Sequence, residues 1–130
     1  MALMEFREPN QVKWLGSRPG HNGTQVLEHG SQTGVGTSVV YTVPAGVTLF
    51  LCAIQGGIYA PALDNFFIQI FNAVPVLFRN LWGTAAVAAN FSPYSVSYFY
   101  PIEIPEAYSI RVKVGAAGNR IDATIHGWVE

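Results

Sequence analysis

The middle of the chain, from Gly30 to Ile102, carries only two charged side chains, Asp64 and Arg79. Proline, glycine and asparagine break this region into short apolar runs, several of which alternate with small polar residues. A period of two is the pattern of β-strands, whose successive side chains point to opposite faces. The longest apolar stretches stay short of the roughly 18 residues that a membrane-spanning helix needs. The region therefore predicts β-sheet, and we expect no membrane association.

Strand signals follow one another about every 10 residues from Val35 onward. The predicted strands cover residues 35–43, 47–55, 66–71, 76–83, 94–100, 108–114 and 120–125, whereas residues 84–90 fit a strand, a short helix or a loop. In residues 108–114 the apolar side chains alternate with Ser109, Arg111 and Lys113, which predicts one buried and one exposed face. This spacing predicts an all-β, jelly-roll-like antiparallel β-sandwich of about eight strands.

An internal repeat supports that fold class. Residues 43–51 and 104–112 both read apolar, proline, any residue, small, any residue, hydroxyl, apolar, any residue, apolar. Proline cannot donate a backbone hydrogen bond and ends a strand, and the small residue allows a tight reversal. Two such corners suit the two Greek keys of a jelly roll, although two β-turns can share this pattern by chance.

The first 34 residues differ in character from the rest. Residues 16–23 have little apolar content, and we predict an extended N-terminal arm over residues 1–34 followed by a β-sandwich domain over residues 35–130. Phe6, Trp14 and Leu15 are apolar anchors on this arm. They suit docking on a neighbouring surface, and they equally suit packing back on the chain's own domain.

The composition narrows the function classes. Charged residues make up 12% of the chain, about half the usual share, so much of its surface is predicted to be covered by other copies or a partner. The net charge is −1 and the seven basic residues are scattered, which argues against a nucleic-acid partner. Cys52 lies in an apolar strand and predicts a buried structural thiol. With no visible signal peptide, we expect synthesis in a cytoplasm.

No residue set predicts catalysis, a metal site or a cofactor. His21 and His29 lie in the predicted arm without a third ligand at metal-site spacing, and His126 has no nucleophile or acid to work with. Glu103 and Glu106 are predicted to mark an exposed turn, and residues 115–119 a hairpin turn. We therefore expect that the protein is not an enzyme.

The apolar run over residues 66–78 is too rich to fit one side of one sheet. Its larger members form a candidate oligomer interface: Phe66, Phe67, Ile70, Phe71, Leu77 and Phe78. Left exposed, such residues favour aggregation, and buried between copies they stabilise an assembly. The run predicts a homo-oligomer.

A family likeness follows from four segments: residues 41–46 (YTVPAG), the strand at 47–54, residues 101–105 (PIEIP) and the closing residues 125–130 (IHGWVE). They resemble small jelly-roll virion proteins of tailed phages, which include capsid decoration (cement) proteins and domains of head or tail fibres. The resemblance implies a homotrimer that binds the major capsid protein or another virion component and stabilises the capsid. It further implies a location on the capsid surface after synthesis in the host cytoplasm, and an arm that docks on the capsid.

An alternative function is a receptor- or carbohydrate-binding module of a phage fibre or tail. Aromatic side chains can stack on sugar rings, and Trp82, Tyr98 and Tyr100 are the candidates for such a face. In a β-sandwich the same residues more often fill the core or an interface between subunits.

Overall fold

The structure, a computed structural model, describes residues 23–130, and at residues 85–91 it describes the backbone alone. Its strands are β1 (Thr24–Thr33), β2 (Gly36–Thr42), β3 (Leu49–Phe71), β4 (Leu77–Ile104), β5 (Ser109–Val114) and β6 (Arg120–Val129). No helix occurs in this part of the chain. The predicted all-β class is confirmed, and residues 84–90, which the sequence left open, belong to β4.

Two long strands, β3 and β4, each take part in two layers. On one side, β3 pairs with β6 over residues 49–59 and with β5 over residues 67–71; on its other side it pairs with β4 over nearly its whole length. Outside these, β1 pairs with β6 and β2 pairs with β5. Layer A is thus β1-β6-β3-β4 and layer B is β2-β5-β3-β4, all antiparallel. This is the strand order of a jelly roll, with the two long strands each supplying a segment to both layers.

The chain passes between the layers at both ends of the sandwich, and the end with four of these crossings is here called the corner end. The crossings there are at residues 34–35, 60–65, 85–91 and 115–119, and in β3 the crossing coincides with shifts of register on both sides of Ala60. Residues 115–119 join β5 to β6, which do not pair with each other, so the predicted hairpin turn is wrong. The opposite end, here called the loop end, carries the connections at residues 43–48, 72–76 and 105–108.

A polar cluster holds the corner end together. The Asn119 side chain is fully buried; its Oδ1 accepts from the Ala62 amide (3.1 Å) and its Nδ2 donates to the Ala62 carbonyl (2.9 Å). One carboxylate oxygen of Asp64 accepts from the amides of Gly115 (2.8 Å) and Ala116 (3.0 Å). Because buried polar groups are costly unless they are paired, this arrangement ties the bend of β3 to the crossing from β5 to β6.

One hydrophobic core lies between the layers. Its largest fully buried members are Leu49, Leu51 and Ile54 from layer A and Phe66, Ile68 and Ile70 from layer B. The central strands add every second residue: Ile110, Val112 and Val114 of β5, and Ile121, Ala123 and Ile125 of β6. The predicted buried face of β5 is confirmed, except that Ser109 is also buried.

The predicted domain boundary needs one correction. Thr24–Thr33, which the sequence placed in the arm, form β1 and pair with β6 along their whole length. Only Val26 of this strand is buried, because β1 lies at the edge of its layer and needs few apolar side chains. Such a strand gives almost no hydrophobic pattern. The predicted arm over residues 1–22 lies outside the described residues.

The internal repeat has a structural counterpart. Its two proline corners lie side by side at the loop end, where the Val43 amide donates to the Tyr108 carbonyl and the Ala107 amide donates to the Val43 carbonyl, both at 2.9 Å. Gly46 and Ala107 occupy equivalent repeat positions, and both have a left-handed backbone, with φ of 83° and 68°. The sequence pattern therefore reports a shared turn geometry.

Candidate docking surface

The free side of β4 is the first candidate surface and is called here the β4 edge. β4 pairs with β3, and no other described strand covers its far side. Residues 80–102 of this strand contain no Asp, Glu, Lys or Arg. Proteins usually protect an open edge with charges, prolines or bulges, because unpaired backbone groups invite other strands. Most of this edge has no charged side chain that would keep another chain from making contact with it.

A rigid apolar tip lies where β3 turns into β4. The side-chain Oδ1 of Asn72 accepts hydrogen bonds from the backbone amides of Val74 (3.1 Å) and Val76 (2.8 Å). The backbone amide of Asn72 donates to the Val76 carbonyl (2.9 Å). These bonds fix the turn. The tip patch consists of the exposed apolar side chains that follow: Val74, Val76, Leu77 and Phe78.

A bulge near the end of β4 projects two aromatic rings. Leu51 pairs with Ile102 and Ala53 pairs with Ser97, so residues 98–101 of β4 lie opposite Cys52 alone. Phe99 is 91% exposed and Tyr100 is 80% exposed. Their rings meet edge to face, with centroids 4.9 Å apart. We call this pair the aromatic knob. It is a large apolar feature to leave in water.

The knob carries a signal that sequence reasoning missed. Three aromatic residues stand in a row at positions 98–100, and a regular strand cannot turn all of them toward the core. Pro101 follows, and it has no amide to donate to a ladder. Together these features mark a break in the strand pairing. Phe99 was not among the predicted site residues, although this signal was present.

Aromatic rings close the open side of the sandwich between the two halves of β4. Trp82 of layer B stacks on Tyr94 of layer A, with centroids 4.4 Å apart and planes 15° apart. The Tyr94 hydroxyl donates to the Asp122 carbonyl at 2.6 Å. Burial, with a smaller contribution from the Asp122 carboxylate, raises the pKa of Tyr94 far above its ordinary value. Burial also raises the pKa of Tyr98, and the positive charge of Arg79 opposes that rise.

The six predicted interface residues divide between core and surface. Phe66 and Ile70 are fully buried in the protein's own core, so their assignment to an interface is wrong. They point inward because alternate residues of β3 face layer A. The remaining four reach the surface in different ways. Phe67 lies under Lys113, Phe71 lies under the Arg111 guanidinium (4.6 Å to the ring centroid), and Leu77 and Phe78 are exposed.

The three candidate sugar-stacking residues do not share one environment. Trp82 and Tyr98 pack against the core cluster, whereas Tyr100 projects from the knob. One face of Trp82 is already covered by Tyr94. The arm residues predicted to dock on a capsid, Phe6, Trp14 and Leu15, lie outside the described residues, as does His21.

The remaining polar candidates have ordinary structural contacts. His29 Nδ1 lies 3.1 Å from the Thr124 hydroxyl, and Arg120 Nε lies 2.9 Å from a carboxylate oxygen of Asp122. Cys52 is half-buried, and burial raises the pKa of its thiol. Within residues 23–130 no group of three or more His, Cys, Asp or Glu side chains is placed to hold a metal ion. The same residues include no helix long and apolar enough to cross a membrane.

A groove lies on the opposite side of layer A from the β4 edge. It has a volume of about 290 Å³ and is lined by Gln25, Val26, Leu27, His126 and Gly127 of strands β1 and β6. We call it the β1–β6 groove. Leu27 is 64% exposed at this surface. The lining is part apolar and part polar, and the side chains of Gln25 and His126 can form hydrogen bonds there.

Comparison with known proteins gives a fold relationship. No family model matches the chain, and no curated protein matches it. Among solved structures, the chain is similar to one in the "Cyanophage Pam1 capsid asymmetric unit", with a TM-score of 0.52 and 14% sequence identity. The match covers 92% of this chain and 96% of that chain. The two proteins therefore share a fold over nearly their whole length.

Proposed function

We propose that this protein is a structural subunit of a phage virion: a capsid decoration protein that assembles as a homo-oligomer and stabilises the capsid. The observation that carries the proposal is the fold similarity to a chain from a cyanophage capsid, which extends over 92% of this protein and 96% of the other. A match of that extent relates two whole chains of similar size. It is the reason for preferring a capsid component to other uses of a jelly roll.

The exposed apolar side chains support a role in assembly. Phe99, Tyr100 and Phe78 are each more than half exposed, and they lie on a strand that has an open edge. Burying an aromatic side chain at an interface removes about 150–250 Å² from water. Several such residues in each subunit provide enough apolar area to stabilise contacts between neighbours.

Within the proposal, different parts of the chain contact different partners. Leu77 and Phe78, which remain from the predicted interface, face another copy along the β4 edge together with the aromatic knob. The arm, with its anchors Phe6, Trp14 and Leu15, docks on the major capsid protein or another virion component. A trimer is the form that the family resemblance implies.

The direct test is to find the protein in the particle. Purified virions of the phage that encodes the chain are analysed by mass spectrometry and imaged by electron cryo-microscopy. We expect the protein in multiple copies on the capsid surface, arranged around lattice symmetry axes. Its absence from purified virions would refute a virion role. Location at a fibre tip, together with glycan binding that Tyr100→Ala abolishes, would favour the receptor-binding alternative.

The arm is tested by a deletion placed according to the structure. Removing residues 1–22 leaves β1 intact, whereas removal through residue 34 also deletes the strand that covers β6. We expect the shorter deletion to give a folded oligomer that no longer binds capsids lacking the protein. Full-length protein added to the same capsids should raise their temperature of disruption. Undiminished binding by the deleted protein would show that the arm is not the docking element.

A further inference from the structure

We infer that the aromatic knob of one copy inserts into the β1–β6 groove of the next copy, so that the subunits join head to tail. The inference rests on the homo-oligomer of the proposed function and names the two surfaces that meet. The partner of the groove is a second copy of this chain, because the projecting rings and the groove are both present on the same described domain.

The positions of the two surfaces fit a ring. The knob is on β4 and the groove is on β1 and β6, at opposite sides of layer A, whose order is β1-β6-β3-β4. Three strand spacings of about 4.8 Å separate β1 from β4, or roughly 14 Å across the layer. Contact between two different surfaces is heterologous, and a rotation that closes on itself converts such contacts into a cyclic oligomer.

The groove has room for the knob. Apolar cavities of about 150 Å³ hold a benzene ring, and the groove, at about 290 Å³, is close to the space that two rings need. The exposed Leu27 side chain offers apolar contact to the Phe99 ring. The His126 ring and the Gln25 amide are available to hydrogen-bond the Tyr100 hydroxyl.

The charges of the two surfaces are also matched. The five groove residues include no Asp, Glu, Lys or Arg, and neither do residues 80–102 around the knob. Docking these surfaces therefore buries no Asp, Glu, Lys or Arg side chain without a partner, and burial of such a charge is a common cost of interface formation. A partner surface with many charged side chains would not be complementary in charge to the knob or to the groove.

The knob supplies a large part of the apolar area that a specific contact needs. Two exposed aromatic side chains contribute about 300–500 Å² on one partner, against about 800 Å² per partner in a standard interface. The two rings alone therefore account for about half of that area.

The test uses three full-length variants at exposed positions. Phe99→Ser with Tyr100→Ser removes the knob, Leu27→Glu places a charge in the groove, and Leu63→Ser is the control. Leu63 is 71% exposed at the corner end, away from both surfaces. Circular dichroism and thermal unfolding confirm that each variant is folded, and sedimentation velocity gives its mass. We expect the control to keep the wild-type mass and the other two to be monomeric, with self-association weakened roughly 30-fold or more for each hot-spot aromatic lost.

Mixing the two monomeric variants identifies the geometry. The knobless variant still has its groove, and the Leu27→Glu variant still has its knob, so one intact contact forms between them. We expect a one-to-one heterodimer that grows no further. If the Leu27→Glu protein keeps the wild-type oligomer, or if the mixture contains monomers only, the inference is wrong.

The outcome is separable from that of the proposed function. Wild-type protein that is monomeric in solution yet present on virions overturns the head-to-tail contact and leaves the virion role standing. If the two variants form the heterodimer on mixing but the wild-type protein is absent from virions, the contact is supported and the virion role is overturned.

Discussion

Strands β6 and β4 lie on the two sides of β3 and make a natural comparison. β6 is covered on its far side by β1; its register with β3 shifts once, and Ile121, Ala123 and Ile125 are fully buried. β4 has no described strand beyond it, and its register with β3 shifts five times. Phe99 of β4 is 91% exposed. Both strands are rich in apolar residues, but only one of them uses these residues mainly for the fold.

The difference shows how position in a sheet changes what an apolar residue does. On a strand with neighbours on both sides, the regular ladder fixes which face each residue takes, and every inward side chain adds to the core. On an edge strand, a bulge can insert residues without disturbing a neighbour, and it turns their side chains outward. The exposed apolar residues of β4, such as Phe99 and Tyr100, are therefore available to another chain, whereas Ile121, Ala123 and Ile125 of β6 are not.

The largest effect is expected from one of two glycines that lie where β3 meets a neighbouring strand, Gly56 of β3 against β6 and Gly83 of β4 against β3. An alanine Cβ at Gly56 would lie 1.9 Å from the Asp122 carbonyl of β6, a backbone atom that cannot move without separating the strands. We expect Gly56→Ala to cost more than about 4 kcal/mol of unfolding free energy or to prevent folding. Urea unfolding, or the yield of soluble protein, measures this.

Gly83 on β4 is the matched control. An alanine Cβ there would lie 2.8 Å from the Phe67 ring, a side chain that can turn aside. We expect Gly83→Ala to cost about 1 kcal/mol. Equal losses for the two variants would show that β4 and β6 hold β3 with the same rigidity.

Truncating one apolar side chain on each strand gives the next largest contrast. Ile125→Ala removes a fully buried side chain and is expected to cost about 2–5 kcal/mol. Phe99→Ala removes an exposed ring and should change the unfolding free energy by no more than about 0.5 kcal/mol. Both are measured in the Leu27→Glu background, so that assembly does not contribute. A large loss for Phe99→Ala would mean that the knob stabilises its own subunit.

A pair of asparagines extends the contrast to polar contacts. Asn119→Ala truncates a fully buried side chain and removes both of its hydrogen bonds to the backbone of Ala62, and we expect a loss of about 3 kcal/mol. Asn80 of β4 is exposed, and its Oδ1 accepts a single hydrogen bond from Nε2 of the buried Gln69 at 2.9 Å, so Asn80→Ala removes one bond and should cost about 1 kcal/mol. Thermal unfolding compares the two. A smaller loss at position 119 than at position 80 would contradict the role assigned to the corner cluster.

The smallest effect concerns the hydrogen bond that links β4 to β6 across β3. Tyr94→Phe removes the donor to the Asp122 carbonyl and should cost about 1 kcal/mol near neutral pH. The raised pKa of Tyr94 means that the folded state favours the neutral phenol, so this stabilisation is complete below the ordinary pKa of 10.0 and is lost as the pH rises beyond it. Unfolding curves from pH 7 to 11 should show the difference between wild type and variant shrinking above pH 10. A difference that stays constant would contradict the pKa shift.

Local patterns predicted much of the fold but less of the docking surface. The faces of β5 were visible because Arg111 and Lys113 alternate with apolar residues, and the two turns at the loop end were visible because each has a proline followed by a small residue. In residues 80–102 there is no charge to mark an outer face, so apolar residues that end in the core look the same as those that end in water. Phe66 and Ile70 were assigned to an interface for the same reason.

The sequence by itself determined the all-β class, the position of most strands and turns, and the shortage of charge that points to assembly. Only the tertiary structure decided that Thr24–Thr33 form a strand, that β3 and β4 span both layers, and that Phe99 and Tyr100 leave the sheet in a bulge. The physical reason is that propensity and alternation act between residues close in the chain. Which strand lies at an edge depends on pairing between residues that are far apart in it, and the edge determines which apolar side chains remain exposed.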